Sequence, residues 1–226
     1  MTAVRIQEKT MGIKQAIAAL SLALLGAMAN AQTVEIRTSM GVIIADLYGD
    51  RAPRTVENFV QYVKAGFFNG TVFHRVIPTF MIQGGGFTAD MQQKKVRPPI
   101  AHEGREAIAK GAKNEIGTLA MARTNDPDSA TAQFFINVQD NEFLNPVVLP
   151  DGDPVTFMYQ GRMVTAPRSQ ALGATAGYTV FAKVTKGMDV VEKIKAVPTT
   201  NAGGHQNVPV APVLIESIKL IVTPKK

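Results

Sequence analysis

Arg75 places a permanent charge with five donors inside an apolar run, Val72 to Ile77. A charge in that setting is either a salt-bridged structural residue or a group set aside for chemistry. Phe80, Met81 and Phe135 sit in short alternating segments and read, taken singly, as core residues of strands. Gly84-Gly85-Gly86 resembles a phosphate cradle only superficially, because no Lys-Ser or Lys-Thr follows and no strand-to-helix switch precedes it. His74, His102 and His205 are far apart and form no ligand pair of the His-Glu-x-x-His kind. His102-Glu103 lies in a polar stretch and reads as solvated surface. No Gly-x-Ser-x-Gly occurs, so a serine hydrolase has no support. Cys 0 removes disulfides, thiol nucleophiles and cysteine-based zinc sites. No metal or cofactor is implied.

Several elements must position these residues. Val34 to Thr38 alternates apolar and polar, Met40-Gly41 makes a turn, and Val42 to Leu47 follows, which reads as a hairpin. Pro53 opens a helix whose Val56, Phe59, Val60 and Val63 form one apolar stripe, with Gly66 as its stop. Thr71 to Val76 and Phe80 to Gln83 read as strands, the second broken by the three glycines. Residues 88–116 read as polar loop. Gly117 to Ala122, Gln133 to Val138, Tyr178 to Val184 and Val213 to Val222 are further strands, and Met188 to Ala196 a short helix. Many short strands with two peripheral helices predict a mainly β fold, a closed barrel with helices over its ends, although periodicity alone does not separate barrel from sandwich.

The chain has 226 residues, 46% apolar and 19% charged, enough for one packed domain. Lys14, the apolar run Ala16 to Ala27 and Ala29-Asn30-Ala31 read as a secretory signal cleaved before Gln32, with Met11 as an alternative start. The run is shorter than the roughly 20 residues a bilayer span needs. Net charge is +6, but Arg5, Lys9 and Lys14 belong to the leader, and no basic stripe remains beyond Lys94-Lys95 and Lys225-Lys226. A nucleic-acid partner is therefore not expected. The expectation is an exported, periplasmic domain over 32–226, free of the membrane once cleaved and monomeric.

Taken together, the motifs resemble one family. Phe73 to Phe87, then Gly117 to Thr124, Ala132 to Val138, Asn141 to Leu144 and Val180 to Met188 follow the order and content of the cyclophilin peptidyl-prolyl isomerases, most like bacterial exported members. That resemblance implies an eight-stranded antiparallel barrel capped by two helices, with a groove on its outside. It implies that Arg75 is the catalytic arginine and that Gln83 holds the substrate carbonyl beside it. Phe80, Met81, Phe135 and Leu144 would form the proline pocket. Gln133 lies next to Gln83, and Ala122 and Arg123 would bind the residue before proline. Phe143 stands where many eukaryotic members have Trp, and Tyr178 where many have His. The implied partners are proline-containing peptides and unfolded exported proteins. The rival is a proline-peptide-binding chaperone without turnover, which would have no need to keep Arg75.

One segment departs from the family. Between Leu144 and Tyr178 lies an insertion at about 146–176, in which Val155 to Tyr159 and Arg162 to Thr165 flank Gln160-Gly161 and read as a hairpin. It is expected at the groove rim, either as a flap offering Phe157 or Tyr159 to substrates or as a surface elaboration packed on the barrel.

Overall fold

The computed structural model describes residues 32–221; the expected leader, 1–31, and the Lys225-Lys226 end lie outside them. The expected hairpin is there: β1 (Thr33–Thr38) pairs with β2 (Gly41–Leu47), and Val34, Ile36, Ile43 and Ala45 are fully buried. Then come α1 (Pro53–Lys64), β3 (Thr71–Ile77), β4 (Met81–Thr88), α2 (Gly104–Ala109), β5 (Thr118–Met121) and β6 (Phe134–Asn137). The insertion supplies β7 (Val155–Tyr159), β8 (Arg162–Ala166) and α3 (Arg168–Ala174). The chain then forms β9 (Val180–Lys186), α4 (Met188–Lys195), β10 (Thr199–Ala202), β11 (His205–Pro209) and β12 (Val213–Ile221). Eight strands close into a barrel in the order β1-β12-β3-β4-β6-β5-β9-β2, every neighbouring pair antiparallel.

An eight-stranded barrel is just wide enough for side chains to fill it. Ile36, Ile43, Phe73, Ile82, Leu119, Phe134, Ile136 and Phe181 do so at 0% exposure. The apolar stripe of α1 is buried as its spacing predicts, and Phe59 brings its ring to 5.0 Å from Phe181 and 5.7 Å from Phe134. Gly66, in the left-handed region at φ +63°, ends α1 in a Schellman turn: Phe67 N–H donates to Tyr62 O, and Gly66 N–H to Val63 O.

Glu103 is not solvated surface. It is 2% exposed, and its carboxylate accepts from the N–H groups of Arg54 (3.1 Å) and Thr55 (2.7 Å) and from Thr55 Oγ1 (2.7 Å). Ala52, at the N-cap of α1, has no side-chain acceptor, and Pro53 has no N–H. A carboxylate from a distant loop therefore satisfies the orphan donors, where the helix dipole also favours negative charge. Neighbours in sequence cannot reveal such a cap.

Other local expectations shift. Residues 88–116 contain α2, and the insertion contains α3, so among the described residues four α-helices stand where two were expected. The β10–β11 hairpin was not foreseen, its strand β10 being wholly exposed. Tyr178 precedes its strand, which starts at Val180. The three glycines do not break β4, which runs through them to Thr88.

His74 is buried against Phe87, ring centroids 4.7 Å apart, and burial above all, with the nearby His205 and Arg75 charges, pushes its pKa from 6.5 down to about 4. Between those values the unfolded chain takes up a proton that the folded chain refuses, so stability falls as pH drops through that window, by roughly 3 kcal/mol at most. Urea unfolding at pH about 7 and about 4.5 should show this loss, and His74→Leu should flatten it.

Candidate active site

Strand register decides which side chains share a face. Arg75 pairs with Gln83 across β3–β4, and Gln83 with Phe135 across β4–β6. The alternate row, Val76, Ile82, Ile136 and Leu119, is the fully buried interior. Arg75, Gln83 and Phe135 therefore stand side by side on the outside of the barrel. Simple alternation would put Phe73 and Arg75 on one face. Phe73 instead points inward, because the register slips at His74: Phe73 pairs with Gly84, and Arg75 with Gln83. The extra residue is a β-bulge, which re-aims the arginine outward.

The polar row is ordered. Arg75 Nη1 donates to Gln83 Oε1 at 3.5 Å, and Gln83 Nε2 donates to Gln133 Oε1 at 3.1 Å. Among the described residues Arg75 has no ion pair, so the salt-bridge reading is removed. Gln133 needs space on β4: a Cβ on Gly86 would collide with Gln133 Cγ and Cδ. Gly85, at φ +84°, lets the backbone turn where the ladder slips.

Apolar groups complete the groove. Met81, Phe135 and Leu144 are 1%, 4% and 7% exposed, so they form its floor rather than its rim. Phe80 stacks on Phe143 at 5.7 Å and 23°, with Phe143 itself 73% exposed. Tyr178 sets its ring edge-on to Phe135 at 5.5 Å, and the Arg123 guanidinium lies over Tyr178, 4.7 Å from the ring centre. Arg123 is pinned there by bonds from Nε to Gly177 O (2.9 Å) and from Nη1 to Thr124 O (2.8 Å). Ala122 is tied to Gln133 through its backbone N–H. Register and contacts thus join Arg75, Gln83, Gln133, Ala122, Phe135, Tyr178 and Arg123, with Phe80 and Phe143 stacked as a separate pair.

Sequence reasoning missed the residues that hold this surface together. Asn114, Asn137 and Asn141 are fully buried. Asn141 Nδ2 donates to Phe80 O (2.9 Å) and Asn137 Oδ1 (2.7 Å), and Asn137 Nδ2 to Asn114 Oδ1 (3.2 Å) and Thr118 Oγ1 (2.9 Å). Asn114 Nδ2 reaches Leu144 O (3.2 Å) and Asn145 Oδ1 (3.1 Å). Three amides thus tie the loops carrying Phe80 and Leu144 to the barrel. In sequence each is a lone asparagine, indistinguishable from a turn former.

Comparisons with known proteins bear on the family and the fold. Residues 33–220 match the family model described as cyclophilin type peptidyl-prolyl cis-trans isomerase/CLD. The chain is 50% identical over 190 residues to peptidyl-prolyl cis-trans isomerase cyp18 of Streptomyces antibioticus, covering 84% of this chain and 98% of that protein. It is 48% identical over 185 residues to peptidyl-prolyl cis-trans isomerase B of Escherichia coli, covering 82% and 97%. Among solved structures, the fold resembles a cyclophilin type isomerase of Cryptosporidium parvum crystallised in the presence of the dipeptide Ala-Pro, with TM-score 0.61, 21% identity and coverage of 85% and 100%.

Two substitutions test the supporting geometry. Gly86→Ala should displace Gln133 and lower kcat/KM, and adding Gln133→Ala, which removes the colliding atoms, should recover no more than the Gln133→Ala activity alone. Asn141→Ala leaves Asn137 Oδ1 without its donor while Phe80 O keeps the Val138 N–H, so it should cost about 1–3 kcal/mol in urea unfolding and raise KM as Phe80 loses one of its two ties.

Proposed function

The chain belongs to the cyclophilin-type peptidyl-prolyl cis-trans isomerases and is itself such an isomerase; from that premise we propose that the outer groove is its active site and that Arg75 supplies the catalytic hydrogen bond. The observation carrying this reading is an arginine that has no ion pair among the described residues and is held by a long bond to Gln83, on a face floored by Met81, Phe135 and Leu144.

The chemistry needs no covalent step. Amide resonance sets a barrier of about 18–20 kcal/mol, so uncatalysed X–Pro rotation takes on the order of tens to hundreds of seconds. At the twisted state the prolyl nitrogen regains its lone pair and becomes an acceptor. Because Gln83 Oε1 engages one guanidinium nitrogen, Arg75 is oriented along the groove with donors to spare. A bond made only at the twisted state raises turnover rather than mere affinity. Gln83 and the backbone near Ala122 fix the carbonyl side of the bond. The pyrrolidine needs no polar partner and sits on Phe80, Met81, Phe135 and Leu144. Proline-containing peptides are the ligands of this groove, and the Ala-Pro present with the Cryptosporidium protein has the chemistry it would take.

Exported proteins with slow prolyl bonds are the proposed clients. Support comes from the signal-like residues 1–31 and from the family match, which starts at Thr33, two residues past the expected cleavage. The mature protein, purified from the periplasm, should begin at Gln32 on N-terminal sequencing, and an intact Met1 or Met11 there contradicts export by cleavage.

Arg75→Ala tests the catalytic assignment. One charge-assisted bond is worth about 1.5–3 kcal/mol, so turnover on an X–Pro peptide should fall roughly tenfold to hundredfold with an unchanged melting temperature. Full turnover in a folded variant would falsify the role given to Arg75.

A further inference from the structure

The insertion is a built element with its own small core. Leu149, Val155, Phe157 and Ala171 are buried together, and Gln160 and Gly161, both at positive φ, turn β7 into β8. Arg105 of α2 ties it down, donating to Val147 O (3.3 Å), Leu172 O (3.0 Å) and Thr175 Oγ1 (2.8 Å). Its neck is closed by Tyr178 N–H on Leu144 O (2.9 Å) and by Gly177, where a Cβ would collide with Pro146 N. Phe157, one of the two residues expected to meet substrate, is 5% exposed in that core and cannot do so. The opposite face of the hairpin carries Met158 and its cross-strand partner Met163, 54% and 63% exposed.

Between this hairpin and the barrel lies a cavity of about 370 Å³. Met158 and Tyr159 line it from the insertion, and Arg123, Glu142, Phe143 and Tyr178 from the barrel. Phe143 stacks on Phe80 and Tyr178 on Phe135, so the cavity continues directly from the proline groove. Its two charges are of opposite sign, and two guanidinium nitrogens of Arg123 are already bonded to backbone carbonyls. The rest of the lining is mostly apolar, a thioether and aromatic rings with Asn145, Gln160 and Thr175 as its polar members, and so an adaptable wall suited to varied apolar groups.

Building on the reading of the groove as the proline site, we propose that the insertion completes a second subsite, which takes a large aliphatic or aromatic side chain borne by the substrate polypeptide within a few residues of its proline. The enzyme then selects unfolded segments in which a core-forming residue lies near a proline, and discriminates against polar prolines of surface loops. Tyr159 is the one of the two expected contact residues that faces the subsite, and Met158 is a contact the sequence did not single out.

Paired X–Pro peptides test this, identical except for Phe or Gly at each flanking position in turn. The parent should favour Phe at one or more positions by about tenfold in kcat/KM, the scale of discrimination an apolar pocket gives. Met158→Glu, at an exposed position where folding can be confirmed by its melting curve, should bring that ratio toward one. So should replacing residues 147–175 by a short Gly-containing turn. A parent without any Phe preference, or a preference intact in folded Met158→Glu, overturns the subsite while leaving the isomerase assignment standing. A parent that turns over neither peptide overturns the groove reading itself.

Discussion

The closed barrel has no room inside. Eight strands enclose a space that their own inward side chains and the α1 ring of Phe59 fill, so any site for a substrate must be made on the outer surface. An outer sheet face supplies a row of side chains but no depth. Walls must therefore come from loops, and loops bring backbone polar groups that need partners once buried. The Asn114–Asn137–Asn141 network answers that need, bonding the carbonyls of Phe80 and Leu144 while both side chains face the groove.

The same demand is met elsewhere by charged groups used as internal anchors. Glu103 caps α1 from a distant loop, and Arg105, two residues later, fastens the insertion through three acceptors. A buried carboxylate is tolerable here because it accepts from two backbone N–H groups, a hydroxyl and Arg54 Nε, so its lone pairs do not go unmet. The N-terminal turn of α2 thereby couples the helix packed on the barrel to the element that extends the groove.

For a reaction that only rotates a bond, this economy suits the task. The groove combines one uncommitted arginine, two glutamines that align it, and an apolar floor. Few polar groups compete for the peptide, and in the proposed mechanism the arginine would gain its best acceptor only as the amide twists. The bulge at His74 is what makes the combination available, since without it Arg75 and Phe73 would share a face. Proximity of Gly86 to Gln133 shows the same close fit from the neighbouring strand.

Much of this was legible in the linear chain. Period-two alternation placed most barrel strands, the Val56–Phe59–Val60–Val63 stripe placed α1, and the ordered motifs around Arg75, Gln133 and Val180 carried the family and the residues proposed for the groove. Those signals are local, and each is written in a few adjacent residues. What the tertiary structure alone decided is non-local. Register slip turned Arg75 outward and carried β4 through its glycines, a carboxylate from residue 103 capped a helix at residue 53, and three separated asparagines became one network. Hairpin burial also split the contacts expected in the insertion, sending Phe157 inward and leaving Tyr159 at the cavity together with Met158, because alternation tells which residues share a face but not which face meets the barrel.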